Sequence, residues 1–235
     1  MYFLFLLPLL FILVSMRFLL IIFLLPLFVF SQETITEVLS NSLFREDQFY
    51  ISIGYNSLQN RPSGYSQYSF SPVLSAGFLR DMPISKNRKM AVALGLGYLY
   101  TNTKHNLNIH NINNLSLLSG FEENTLSTHA VEIPFELRWR NASPSDHKFL
   151  RVYLGFKMSY VFASKAKTID ESITIKTRNS TNLNKLQYGP YISAGYNTFN
   201  IYAYYGLANS YDNQVLNTDP LNVKALQVGL MFYIL

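Results

Sequence analysis

The run from Val131 to Arg140 constrains the fold more than any other part of the chain. Val131, Ile133, Phe135, Leu137 and Trp139 alternate there with Glu132, Pro134, Glu136, Arg138 and Arg140. Successive side chains of a β-strand point to opposite faces, so all four charges fall on one side and the large apolar groups on the other. A helix would scatter them round its circumference. The same period of two runs through Leu150–Phe162, Met90–Tyr100 and Leu186–Tyr196, and more weakly through Gln48–Ser57, Phe70–Arg80, Phe199–Asn209 and Lys224–Leu235. These are eight strands, each long enough to cross a bilayer when tilted.

Alternation alone also fits a soluble β-sandwich, with the polar face in water and the apolar faces packed together. The character of the polar face argues otherwise. It is built from Gly, Ala, Ser and Tyr with a few charges, as suits a narrow lumen. Only 14% of the chain is charged, while 49% is hydrophobic and 15% aromatic; soluble domains carry about 25% charged residues. An Arg or Lys turned to lipid at the midplane costs about 2–4 kcal/mol, so the single parity of the charges in Val131–Arg140 is expected of a lipid-facing strand. Aromatic residues mark both ends of the strands: Tyr55, Tyr98, Tyr100, Tyr160 and Phe162 at one, Phe49, Trp139, Tyr196, Phe199 and Phe232 at the other. Such girdles sit at membrane interfaces. The fold expected is an all-β, eight-stranded antiparallel transmembrane barrel over residues 48–235.

The connections alternate in length. Asp81–Lys89, Asn141–Lys148 and Asn197–Thr198 read as turns, whereas Asn102–Thr128 and Ser164–Lys185 read as long polar loops. Outer-membrane barrels place short turns in the periplasm and long loops outside, which puts both mature termini in the periplasm.

Export explains the apolar start. Met1 to Phe30 contains one charge, Arg17. Met16–Ser31 has the parts of a cleaved signal peptide: a basic start, an apolar core and small residues at the cut, with Gln32 first in the mature chain and Met16 a possible true start. A retained helical anchor is the alternative for a stretch of this length. Residues 32–47 would form a short periplasmic segment. The chain has no cysteine, which removes a lipidated cysteine, disulfides and thiolate metal sites from consideration. A net charge of +5, with no run of five like charges, gives no basis for nucleic-acid binding.

Three sets of residues are candidates for a role. Glu132, Glu136, Arg138, Arg140, Arg151 and Lys157 share the lumenal face of neighbouring strands. If residue numbers in that hairpin sum to 289, Glu132 lies opposite Lys157 and Arg138 opposite Arg151. Paired charges of that kind fill a lumen and fix register, and eight strands enclose little besides their own side chains. Ser127 and His129 share one face at the strand's outer rim. Hydrolysis there would need the histidine to take the serine proton and an acid to orient the ring, and Glu122 and Glu123 lie upstream. His105, His110 and His147 fall in polar loops without metal-ligand spacing, so solvation is expected and no cofactor or metal is called for. At the C-terminus, Gln227, Gly229, Phe232 and Ile234 follow the polar, glycine, apolar, apolar spacing of a terminal strand read by barrel-assembly machinery.

Three stretches carry a more specific likeness: FLRDMP at Phe78–Pro83, VEIPFELRWRN at Val131–Asn141 and YGPYISAGYNTFNIYAYYGL at Tyr188–Leu207. Together they resemble the PorT family of small outer-membrane barrels of Bacteroidota, over most of residues 48–235. The resemblance implies a non-enzymatic role in type IX protein secretion, which in some species supports gliding, with outer-membrane lipids and other secretion components as partners. A lipid hydrolase using Ser127 and His129, and a structural or adhesin-like barrel, are the other readings.

Overall fold

The computed structural model describes residues 47–234 except 62–63, 68, 86–88, 109–115, 118–122, 142–149, 171–172, 179–182, 212–214, 217–218 and 221. The expected signal peptide and all but the last residue of segment 32–47 lie outside the described residues, as do His110, Glu122 and His147.

Eight long strands follow one another: β1 (Gln48–Gln59), β2 (Pro72–Pro83), β3 (Met90–His105), β4 (Glu123–Arg140), β5 (Leu150–Asp170), β6 (Leu186–Tyr196), β7 (Phe199–Tyr205) and β8 (Lys224–Ile234). Each pairs antiparallel with its neighbour in sequence, and β1 pairs with β8, so the sheet closes. Closure removes the unpaired edges that lipid would leave unsatisfied. One circuit of the registers that leaves Gln48 returns near Leu58, a stagger of about ten residues, which with eight strands sets a tilt of about 40°.

Exposure separates a membrane barrel from a sandwich. Leu96 is 61% exposed, Phe199 64% and Ile201 67%, while Glu136, Arg138 and Arg140 are 0% exposed. The large apolar residues are outside and the charges inside, the inverse of a water-soluble core. The aromatic residues pair along the outer surface, as in the edge-to-face contacts Phe49–Phe78 and Phe199–Phe232, with ring centroids 5.3 and 5.2 Å apart.

The three short connections leave from one end of the barrel. The shortest joins Tyr196 to its ladder partner Phe199 through Asn197 and Thr198, with Asn197 at φ 56°, a left-handed conformation that asparagine tolerates.

Three expectations are corrected here. The stretch Asn102–Thr128 is in large part strand: β3 continues to His105 and β4 begins at Glu123. Likewise Ser164–Lys185 contains the end of β5 and a short strand, Ile173–Arg178, folded back against it. The strands continue past the lipid zone, where the outer face turns polar and the apolar-outside alternation is lost. Second, Asp81 belongs to β2 rather than to a turn, and it is fully buried. Third, the β4–β5 register pairs Glu132 with Ser159, Pro134 with Lys157, Arg138 with Tyr153 and Arg140 with Arg151. The expected pairing was displaced by two residues. A slip of two leaves every side chain on its own face, so the alternating pattern cannot choose between the registers.

A bulge lies between His129 and Ala130. Ala130 pairs with Val161 and His129 with Ala163, so Phe162 is the extra residue on β5. Beyond it Ser164 and Ala166 take the inward side. A cluster of Leu58, Tyr65, Leu126, Ala166, Leu183, Tyr211 and Val223 packs within the long-loop end of the lumen.

Candidate functional site

The inward residues of β2, β4 and β5 build a charge network in the half of the lumen nearer the short turns. Arg138 is at its centre. Its Nε donates to Glu136 Oε2 at 2.7 Å and its Nη1 to Asp81 Oδ1 at 2.9 Å. Asp81 Oδ2 accepts from Arg140 Nη1 at 3.1 Å, so one carboxylate holds two guanidinium groups. The Asp81 backbone N–H in turn donates to Asp47. Arg138 also lies over the Tyr153 ring at 4.9 Å, a cation–π contact with the buried quadrupole.

Tyrosines complete the network. Glu136 Oε1 accepts from Tyr191 Oη at 2.7 Å and from Tyr233 Oη at 2.9 Å. One turn of the lumen away, Glu132 Oε1 accepts from Tyr50 Oη at 2.6 Å, and its Oε2 lies 3.1 Å from Lys157 Nζ. Lys157 donates to Tyr202 Oη at 2.8 Å and stands over the Tyr204 ring at 4.8 Å. The contact between Glu132 and Lys157 is thus diagonal across the ladder, since their strand partners are Ser159 and Pro134. Arg151 is buried beside Arg140. A phenol is well suited to such a place because its ring fills apolar volume while its hydroxyl satisfies a carboxylate.

Glycine makes room for those rings. The inward-facing Gly97 lies against Tyr50, and the inward-facing Gly155 lies under the Tyr191 ring, so that a Cβ at either position would overlap the phenol. The gap left among Tyr50, Glu132, Glu136, Lys157, Tyr191 and Tyr202 is about 10 Å³, at the lower limit for a single water molecule. Above it, between the network and the apolar cluster, is a cavity of about 80 Å³ lined by Asn56, Thr101, Thr103, Thr128, Gln187 and Gln227 among others. The lumen is therefore filled across its section and offers no conduit at the level of the charges.

A scan against protein families matches the model described as "Outer membrane protein beta-barrel domain" over residues 30–212. The chain belongs to this family. No curated protein matches it. The outer-membrane assignment accounts for the apolar exterior, and it makes the lumen, the two rims and the extended strands the places where function can be located.

Among the candidates named from sequence, Glu132, Glu136, Arg138, Arg140, Arg151 and Lys157 are together inside this outer-membrane barrel. Asp81 and the tyrosines Tyr50, Tyr202 and Tyr233 were missed as their partners. The parity of β1, β7 and β8 points these three tyrosines inward, on the same face where the sequence already places Tyr153 and Tyr191. Gln227 and Gly229 face the lumen on β8, while Ile234 is exposed on the outside and Phe232 rests against Phe199.

His129 lies on the outer surface among aromatic rings. Its Nδ1 is hydrogen-bonded with Tyr98 Oη, and its ring packs near Tyr100 and Phe162, at 5.2 and 6.4 Å between centroids. The ring is thus oriented by a phenol, the group at Nδ1 where hydrolysis would call for an acid. His105 is corrected from a solvated loop to a buried residue: it stacks on Tyr65 at 5.7 Å and its Nε2 is 3.4 Å from Tyr211 Oη. Burial raises the Tyr211 hydroxyl well above the ordinary phenol range. Among the described residues no group of three His, Cys, Asp or Glu is arranged to hold a metal ion.

Proposed function

We propose that this outer-membrane barrel is a non-enzymatic component of type IX protein secretion, working through its rims and extended strands rather than as a channel. The filled lumen carries the reading. A cargo conduit needs open section, and here Arg138, Glu136, Lys157 and six tyrosines occupy it. The PorT-like runs at Phe78–Pro83, Val131–Asn141 and Tyr188–Leu207 support the pathway, and one of them contains Asp81 while another contains Glu136 and both central arginines.

In this reading the short turns face the periplasm, the long-loop end faces outward, and Gln227, Gly229, Phe232 and Ile234 present the terminal strand to the assembly machinery. Partners among the other secretion components would meet the short turns or the sheet extended by β3, β4, β5 and Ile173–Arg178.

Deletion of the gene tests the proposal. The expected result is that type IX cargo accumulates inside the cell while the general outer-membrane protein profile is unchanged. Unimpaired cargo export in a deletion strain with no second copy would overturn the secretion role and leave the barrel without it.

A further inference from the structure

Period-two alternation continues beyond the lipid zone, but the outward residues change character. Following the outer face of β3, β4 and β5 away from the short turns, the ladder passes Tyr98, Val131 and Tyr160, then Tyr100 and His129. The next row places Asn102, Ser127, Lys165 and Arg178 side by side, and the row after that Lys104, Thr125, Lys167 and Lys176. Lys165, Lys176 and Arg178 are exposed and Lys167 is half-exposed.

Two of these neighbours are like-charged pairs held directly opposite each other, Lys165 with Arg178 and Lys167 with Lys176. Like charges at facing positions of an antiparallel pair destabilise it. Among the described residues none of the four has an acidic partner. The facing cations make this an anion-attracting face of the extended sheet.

The height of the rows says which anions. Each row is two residues beyond the last, about 6–7 Å along a strand and about 5 Å along the axis of a barrel tilted by about 40°. With the Tyr98, Tyr100, His129 and Phe162 belt at the edge of the hydrocarbon, the cations stand about 5 and 10 Å above it. The polar zone of a bilayer leaflet is about 5–7 Å deep, so the first row stands within it and the second a few ångströms beyond, a gap that the flexible stems of Lys167 and Lys176 cover by reaching down.

We propose that Lys165, Lys167, Lys176 and Arg178 form a binding ridge for the phosphates of an outer-leaflet glycolipid of the lipid A type. The inference rests on the outward orientation of the long-loop end given above. The acyl chains lie along the exposed apolar face below the aromatic belt, and the phosphates bridge the two like-charged pairs. This ridge ties the extended sheet to the membrane surface.

The test titrates the refolded full mature barrel in neutral detergent with bisphosphorylated lipid A, with dephosphorylated lipid A and with inorganic phosphate, reading the melting midpoint. The Lys165→Gln/Lys167→Gln/Lys176→Gln/Arg178→Gln variant is expected to bind bisphosphorylated lipid A about tenfold more weakly or worse, as the loss of several exposed ion pairs implies. Without lipid it should melt no lower than the parent, because the removed charges repel. Equal affinity of parent and variant, or equal response to lipid A without phosphates, would overturn the proposal. So would inorganic phosphate reproducing the whole effect, which would mark a free-anion site. If the fourfold variant fails to refold, Lys167→Gln/Lys176→Gln alone carries the same comparison. Separately, an impermeant maleimide should label Arg178→Cys on whole cells. Labelling only after permeabilisation would overturn the orientation, and with it the outer-leaflet assignment, whatever the titration gives.

Discussion

Replacing Glu136 with alanine should be among the most damaging single changes in the lumen. Its carboxylate accepts three hydrogen bonds, from Tyr191, Tyr233 and Arg138, and it is fully buried. Deleting it strips Arg138 of one of its two carboxylates and leaves two phenols without acceptors. Removing one member of a buried ion pair costs about 3–5 kcal/mol, and each orphaned buried hydroxyl about 1–3 kcal/mol. Partial relief comes from Asp81, which keeps its contact with Arg138 at 2.9 Å, so the expected loss is about 4–6 kcal/mol. Tyr191→Phe and Tyr233→Phe, which each remove one donor to a charged acceptor, should cost about 1.5–3 kcal/mol. The double phenylalanine variant should depart from additivity, because both donors share Glu136 Oε1. Denaturant titration of the barrel in lipid vesicles, followed by the gel shift between folded and boiled protein, measures all of these. A loss below about 1 kcal/mol for Glu136→Ala would refute the idea that this network holds the lumen together.

Other expectations follow from the same geometry. Gly155→Ala and Gly97→Ala each force a lumenal tyrosine ring to move, at about 1–3 kcal/mol as overpacking costs, and the same titration reads it. Leu154→Arg or Ile133→Arg, which point a charge at lipid from positions 54% and 48% exposed, should each cost about 2–4 kcal/mol, and a spin label at either position should report lipid rather than water. Phe232→Asp with Ile234→Asp should prevent insertion, measured as loss of the barrel from isolated outer membranes; normal levels there would show that another element is recognised.

The strands and their faces were legible because lipid imposes a strict rule on each outward residue. Val131–Arg140 shows it best: four charges of one parity leave a single orientation for β4. Register was not legible, since pairing Glu132 with Ser159 or with Lys157 keeps the same residues inside. Asp81 was hidden by its place beside Pro83 and a turn, where an acid ordinarily meets water, whereas here β2 runs on and carries it beneath Arg138 and Arg140. The tyrosines were ambiguous by chemistry, because a phenol fits an interfacial girdle, as Tyr98 does, or a filled lumen, as Tyr50 does. His105 and the strand ends near it were obscured because beyond the membrane the outer face turns polar and the apolar-outside pattern is lost. The packing of Tyr65, His105 and Tyr211 depends on contacts between segments distant in sequence, which local periodicity does not encode.

Closure of the barrel between its first and last strands is the claim on which the filled lumen, the lipid-facing exterior and the ridge all depend. Ile53 and Leu230 face each other across that seam, both on the outer surface, and the chain has no cysteine of its own. Directly opposed positions bring Cβ atoms to about 4.5–5.5 Å, near enough for a disulfide to form with a small backbone adjustment. Oxidation of an Ile53→Cys/Leu230→Cys variant in outer membranes, read by mass spectrometry of the linked peptides, should give an intramolecular cross-link, with none in the Ile53→Cys/Ile234→Cys control. Free thiols in the first variant, or cross-links between chains instead of within one, would contradict a barrel closed by β1 and β8.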